Sequence, residues 1–371
     1  RRQRQMCIRD SAYLDQYSID GSTSWSDGVL AYKGNPDLTW ETSNSFNVGI
    51  DFAMLDGMLT GSLEYFNRQT SDMLYNRPVA PSLGYATIPM NVGSMRNNGL
   101  EMEFVYTPVK TDKIDWSINF NGTVVGNKIL KLAPELNGEW INGARIYQEG
   151  ESMYQLYLVK SAGVDPATGK ALYWGWDYDS EGERIEDSYH VKNTYSTKDR
   201  QASGNLYPKL YGGFGTNLSF YGFDLNVALS YQVGGKIYDD GYASFMGSGY
   251  SSNYGHNWHK DILRAWTPEN PYTDVPRLDA TDSYTFSSYR TDRGLISSNY
   301  LALNNITLGY TIPSGITSKI GISNLRVYVS GDNIALWSAR KGLDPRQSFT
   351  SATTALYTTM RCVSGGVKIE F

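Results

Sequence analysis

The sequence predicts an all-β protein: a transmembrane antiparallel β-barrel wall of about eleven strands, with short periplasmic turns at one end and long extracellular loops at the other. Three observations carry this. Apolar and polar residues alternate with period two over long stretches. Short and long connections alternate along the chain. Gly (37) and Tyr (29) are abundant while charged residues reach only 19 %, a balance that fits neither a disordered chain nor a helical one.

The alternation is cleanest in four segments. In Phe46–Ala53, Phe46, Val48, Ile50 and Phe52 share one face. Gly99–Thr107 sets Leu100, Met102, Phe104 and Tyr106 against Glu101, Glu103 and Val105. Ile114–Val125 and Phe223–Gln232 repeat the pattern, the latter with Leu225, Val227 and Leu229 opposite Asn226, Ala228 and Ser230. Further strands are expected at 59–69, 152–163, 171–178, 208–220, 299–312, 324–337 and 359–371.

The short connections are Leu55–Met58, Pro108–Lys113, Val164–Lys170, Tyr221–Gly222 and Pro313–Asn324; the long ones are 70–95, 129–150, 179–207, 236–298 and 338–358. A soluble sandwich has no reason to alternate so, whereas an outer-membrane barrel does. The parity requires 152–163 and 171–178 to be two separate strands. Trp40, Trp116, Trp174, Trp176, Tyr310 and Trp337 fall where strands meet connections, as in an interfacial aromatic girdle. The closing segment Val363–Phe371 alternates and ends in Phe, as a terminal barrel strand would.

Composition excludes several classes. The net charge of −5 argues against nucleic acid as a partner. Cys7 and Cys362 are too few for a disulfide scaffold or a zinc cluster. No run of ~18 apolar residues provides a membrane helix; a polar average is compatible with a barrel, whose strands alternate lipid-facing and lumen-facing residues. Residues 1–10, RRQRQMCIRD, follow no strand or helix period. They read as a non-native leader, of the kind produced when sequencing-adapter DNA is translated, and leave 11–371 as the folded part.

Catalytic signatures are weak. His256 and His259 are three apart without the Glu of a zincin, and His190 stands alone. Gly212–Gly215 is glycine-rich but sits in a strand. The chain is therefore not expected to be an enzyme, and no cofactor is expected. One weak calcium candidate, Asp177, Asp179 and Glu181, spaces oxygen ligands at alternate positions, but Ser188 stands where the bidentate carboxylate belongs. A solvated acidic loop is the default. The functional expectation falls on 236–298, the longest loop by this reading. Its Tyr250, Tyr254, Trp258, Tyr284 and Tyr289 could stack on sugars, meet a partner protein, or pack against neighbouring loops.

Several ordered segments resemble one family. They are NPDLTWETSNSFNVGIDFAMLDGMLTGSLEYFNRQTSDMLY (35–75), NVGSMRNNGLEMEF (91–104), EGESMYQLYLVKSAGVDPATGKALYW (149–174), LYPKLYGGFGTNLSFYGFDLNVALSYQVGGKIY (206–238), RAWTPENPYTDVPR (264–277), SNYLALNNITLGYTIP (298–313), LRVYVSGDNIALW (325–337) and KGLDPR (341–346). Together they look like the C-terminal half of a SusC/RagA-type TonB-dependent transporter of the Bacteroidota outer membrane. The resemblance implies a barrel of about 22 strands with an N-terminal plug, and a plug and TonB box outside this stretch. It implies import of oligosaccharides or peptides beneath a SusD-like surface lipoprotein, powered through a TonB–ExbB–ExbD complex. Cys362 and Val363 depart from the family's usual ending. A surface carbohydrate-binding β-protein without transport is the alternative, and a glycoside hydrolase would need two facing carboxylates, for which Asp239, Asp240 and Asp261 show no pairing in the sequence.

Overall fold

The computed structural model describes residues 14–19, 28–85, 87–247, 257–279, 281–282, 291–347 and 358–371. Its centre is one nine-stranded antiparallel sheet. In chain order the strands are β1 (Thr42–Met54), β2 (Leu59–Ser71), β3 (Ser94–Lys110), β4 (Ile114–Lys131), β5 (Leu210–Phe220), β6 (Phe223–Val233), β7 (Tyr300–Ile312), β8 (Asn324–Ser338) and β9 (Cys362–Glu370). Each pairs with its neighbour in sequence, so the sheet is an up-and-down meander. Among the described residues it is an open wall with β1 and β9 as its edges.

The register produces two chemically distinct faces. One row runs Phe52–Gly61–Phe104–Phe120–Phe214–Leu229–Leu303 across seven strands. Another runs Phe220–Phe223–Tyr310–Val327–Val367. One residue out of phase lie Asp51–Ser62–Glu103–Asn121–Gly213–Ser230 and Asn217–Asn226–Thr307–Ser330–Ser364. Because the side-chain period is two, no one-residue slip could keep both faces intact. On β6 the apolar set spans Phe223 to Val233. At ~3.3 Å per residue and a tilt of ~40° that is about 25 Å measured along a barrel axis, the height of an outer-membrane apolar band.

Glycines let the large rings lie flat on the apolar face. A Cβ on Gly61 would sit 2.8 Å from Phe104 and 2.9 Å from Phe52. The rings continue across the sheet, with centroids 6.0 Å apart for Phe52–Phe104, 6.1 Å for Phe104–Phe120 and 6.0 Å for Phe120–Tyr231. Tyr221 and Gly222 turn β5 into β6 with positive φ at both positions (49° and 88°), the geometry that matches the strand twist in a two-residue hairpin.

Three expectations change: the strand count, the longest connection and the place of two tryptophans. The segments 152–163 and 171–178 leave the large sheet. Gln155–Val159 joins a four-stranded sheet with Arg200–Asn205, Arg145–Gln148 and Glu139–Asn142, and Ala171–Gly175 lies between Ser161–Val164 and His190–Lys192. The large sheet therefore has nine strands, not about eleven, in the described residues. Short–long alternation survives because two strands leave together. Connection 132–209, rather than 236–298, becomes the longest. Trp174 and Trp176 are also not at a barrel rim: both pack on Tyr189 (centroids 5.2 and 4.6 Å), and Arg184 lies 3.8 Å over Trp176. Trp116, Tyr310 and Trp337 do lie at strand ends, and Trp116 and Trp337 are exposed.

Candidate functional site at the long-loop end

All four short connections (55–58, 111–113, 221–222 and 313–323) lie at one end of the sheet, and the long ones (72–93, 132–209, 234–299 and 339–361) lie at the other. The long connections build a structured cap. Leu156, Leu158 and Leu206 from 132–209 share a core with Tyr238 and Ala243 from 234–299. A second core joins Met246, Ile262, Ala265 and Val275. Asp199 is fully buried, yet satisfied: its carboxylate accepts from the amides of Trp176 (2.9 Å) and Ser196 (2.6 Å) and from the Tyr178 hydroxyl (2.8 Å), with Lys192 at 3.5 Å. Burial, reinforced by that neighbouring carboxylate, pushes the Tyr178 phenol above its ordinary pKa.

Where the connections after β6 and β8 meet, the cap forms a cleft of about 220 Å³ lined by Tyr242, Phe245, His259, Arg340, Lys341 and Gln347, among others. Asp239 caps the short helix Asp240–Phe245, accepting from the Tyr242 amide at 3.0 Å. Arg340 pairs with Asp239 and lies 3.4 Å over the Tyr242 ring, a charge-plus-stacking arrangement suited to a guanidinium. The Tyr242 hydroxyl donates to Asp261 at 3.1 Å, and His259 packs edge-on against the same ring at 4.8 Å. Burial raises the Tyr242 pKa, and the adjacent Asp261 adds to the rise against the opposing effect of Arg340. Asp240 is also raised, by burial first and then by Asp239.

The KGLDPR stretch locks the last long connection to the sheet. Asp344, with a side chain 1 % exposed, takes a bidentate pair from Arg346 (both 2.8 Å). Arg346 reaches on to Asn304 at 3.1 Å. Asn304 sits at the β-bulge where the β7 register shifts between Leu303 and Asn305. It also accepts from Ser230 at 3.2 Å, on the polar face. A bulge re-aims a side chain, and here it gives Arg346 its partner. Burial pushes the Asp344 carboxyl up, but the Arg346 guanidinium and amide outweigh it and hold the carboxyl below the usual range.

Of the residues expected from sequence, Trp258 is described and is 43 % exposed; Tyr250, Tyr254, Tyr284 and Tyr289 lie outside the described residues. Tyr238 and Tyr242 of the same loop are buried and half-buried. In the weak calcium candidate, Asp179 spends one oxygen on the amides of Glu181 (2.9 Å) and Glu183 (2.8 Å), and Asp177 lies near His190 at 3.9 Å. Among the described residues no group of three or more His, Cys, Asp or Glu converges as a metal site. Sequence reasoning named Asp239 only as an unpaired carboxylate and KGLDPR only as a family-like stretch, and gave no role to Arg340, Asp344, Arg346 or Asn304. Asp239 and Arg340 are 101 residues apart, so no local spacing could reveal them.

A two-faced antiparallel meander, with short turns at one end and a folded cap at the other, defines the wall of an outer-membrane-type β-barrel. The chain belongs to the TonB dependent receptor-like β-barrel family, whose model matches residues 12–334. It is 30 % identical over 346 residues to TonB-dependent receptor P3 of Formosa agariphila, covering 90 % of this chain and 33 % of that protein. It is 25 % identical over 354 residues to TonB-dependent receptor SusC of Bacteroides thetaiotaomicron, covering 91 % and 33 %. Among solved structures, the RagAB peptide importer in its closed-closed state aligns with a TM-score of 0.81 at 25 % identity, over 97 % of this chain and 39 % of that one. These likenesses bear out the resemblance to SusC/RagA-type receptors. The chain spans about a third of the length of the curated relatives it matches.

Proposed function

We propose that residues 11–371 form the C-terminal part of the barrel of a longer TonB-dependent importer, working in the outer membrane on oligosaccharides or peptides. The observation that carries this reading is the pairing of a continuous apolar face with a polar one on strands whose long connections all fold at a single end. In that arrangement the apolar face meets lipid, the polar face lines the lumen, and the cap meets incoming ligand. SusC and the RagAB peptide importer are the relatives that support transport. Coupling to TonB–ExbB–ExbD would run through the plug and TonB box of the longer receptor, outside this chain. A SusD-like lipoprotein would sit over the cap, where Tyr250, Tyr254, Trp258, Tyr284 and Tyr289 are our candidates for contact with ligand or lid. Binding and gating need no catalytic group, and we assign none. The alternative of a surface binding protein without transport leaves the apolar face of nine strands without a role.

The test is uptake of fluorescent oligosaccharides and peptides by cells expressing the full-length receptor, with and without TonB. Uptake of either class that disappears without TonB is expected. An assembled receptor that imports neither would refute the proposal.

A further inference from the structure

A pocket of about 310 Å³ opens at the long-loop end of β2–β4, at the lower end of ligand-site volumes. Met95 and Ile129 form its floor and oppose one another in the β3–β4 register. By the pleat they lie on the same face as Glu101, Glu103 and Asn121, so the pocket opens away from the apolar face. Met73 and Met153 add to its walls. Trp140 stacks on Tyr147 at 4.6 Å and meets Tyr75 edge-on at 4.6 Å.

The lining selects the occupant. A sugar needs several hydrogen-bonding partners, and apart from Ser94 and Lys131 these walls are thioether, aliphatic and aromatic. The Tyr75 hydroxyl is itself shut in without a partner, so it does not supply one. A lipid acyl chain would enter from the apolar face, which is the other side of the sheet. Lys131, exposed and the lining's single charged side chain, places a cation beside the apolar space.

We propose that this pocket anchors one apolar side chain of a peptide ligand, with Lys131 facing a neighbouring carboxylate; the proposal rests on the import reading above. Flexible Met side chains suit such a site, because they adapt to leucine or phenylalanine alike.

The experiment is fluorescence anisotropy on the purified full-length receptor. The probes are fluorescein-labelled pentapeptides that differ only at the central residue (leucine, phenylalanine or serine), each with or without an adjacent aspartate. The leucine and phenylalanine peptides should bind at least about tenfold tighter than the serine peptide. Met95→Trp, which fills the floor, should erase that preference. Lys131→Gln should weaken only the aspartate-bearing peptides. Leu136→Trp, placed in the turn Pro134–Leu136 outside the sheet, is the second cavity-filling variant should Met95→Trp fail to assemble, and the same loss is expected.

Equal binding of the three peptides, or a preference that survives an assembled cavity-filling variant, overturns the pocket while leaving peptide import standing. Binding of oligosaccharide probes with no peptide binding overturns the peptide assignment and leaves import intact. Absence of TonB-dependent uptake for both classes removes the import reading itself.

Discussion

Replacing Arg346 by alanine removes the anchor that ties connection 339–361 to the polar face. Two partners lose their bonds. Among the described residues Asp344 would keep the Arg346 backbone amide at 3.1 Å and the Thr359 hydroxyl at 3.4 Å, and its side chain is 1 % exposed against 22 % for Arg346. A buried carboxylate stripped of its countercharge costs about 3–5 kcal/mol. The reverse truncation, Asp344→Asn, leaves a guanidinium that can regain water and still reach Asn304, so it should cost about 1.5–3 kcal/mol. Arg346→Lys keeps the charge but loses the bidentate fork and should fall between the two. The loss should be local, because the nine-stranded ladder does not depend on this pair. Amide hydrogen exchange in the full-length receptor reads local opening. At ~1.4 kcal/mol per tenfold, exchange over 338–347 should accelerate about 100-fold or more in Arg346→Ala and clearly less in Asp344→Asn, with β5–β8 unchanged. Equal and small effects of the two variants would refute the reasoning, since the argument rests on the difference in burial.

Three other outcomes follow from the same geometry. Gly61→Ala puts a Cβ 2.4 Å from the Glu103 carbonyl and against two phenyl rings; it should destabilise the folded, heat-modifiable barrel by about 1–3 kcal/mol, visible as a lower urea midpoint. Asp344 has a folded-state pKa depressed below 3.8, so its contribution is fully present above that value and is lost only as pH falls through the folded value; intrinsic-rate-corrected exchange at 338–347 should be flat from about pH 7 to 5 and rise below about 4. Replacing Tyr250, Tyr254 and Trp258 together by alanine should weaken uptake or lid association, measured by transport and co-purification, while assembly stays intact; parental uptake and association would discard this stretch as a contact surface.

The sequence was most informative where burial and period coincide. Phe223–Gln232 is β6 almost residue for residue, because every second residue packs on one side of the sheet. Strands β3 and β4 run further than expected, to Ser94 and Lys131, since their polar ends continue the ladder beyond the apolar band where alternation fades. The segments 152–163 and 171–178 alternate for a different reason: Leu156, Leu158, Ala171 and Tyr173 bury one face against the cap's own small cores. Alternation reports that a face is covered, not what covers it. The same limit hid Tyr238, whose ring is core. Asp344 and Arg346 are two residues apart, but what makes them and Arg340 anchors is their reach to distant positions, which no local pattern shows. Asn304 and Arg346 are 42 residues apart, and what aims Asn304 is a bulge, which leaves no mark on composition.

The measurement that tests the central claim most directly is a cysteine scan of β6 from 225 to 230 in the full-length receptor in outer-membrane vesicles, with Cys362 and any other native cysteine replaced. Each position is read with a membrane-impermeant thiol reagent and with a fluorescent thiol label quenched by brominated lipid. Leu225, Val227 and Leu229 should be quenched by lipid and closed to the aqueous reagent, and Asn226, Ala228 and Ser230 should show the reverse, in strict alternation. Lipid quenching at Asn226 and Ser230 together with aqueous labelling at Val227, or no alternation at all, would contradict the assignment of the sheet as a membrane-spanning barrel wall.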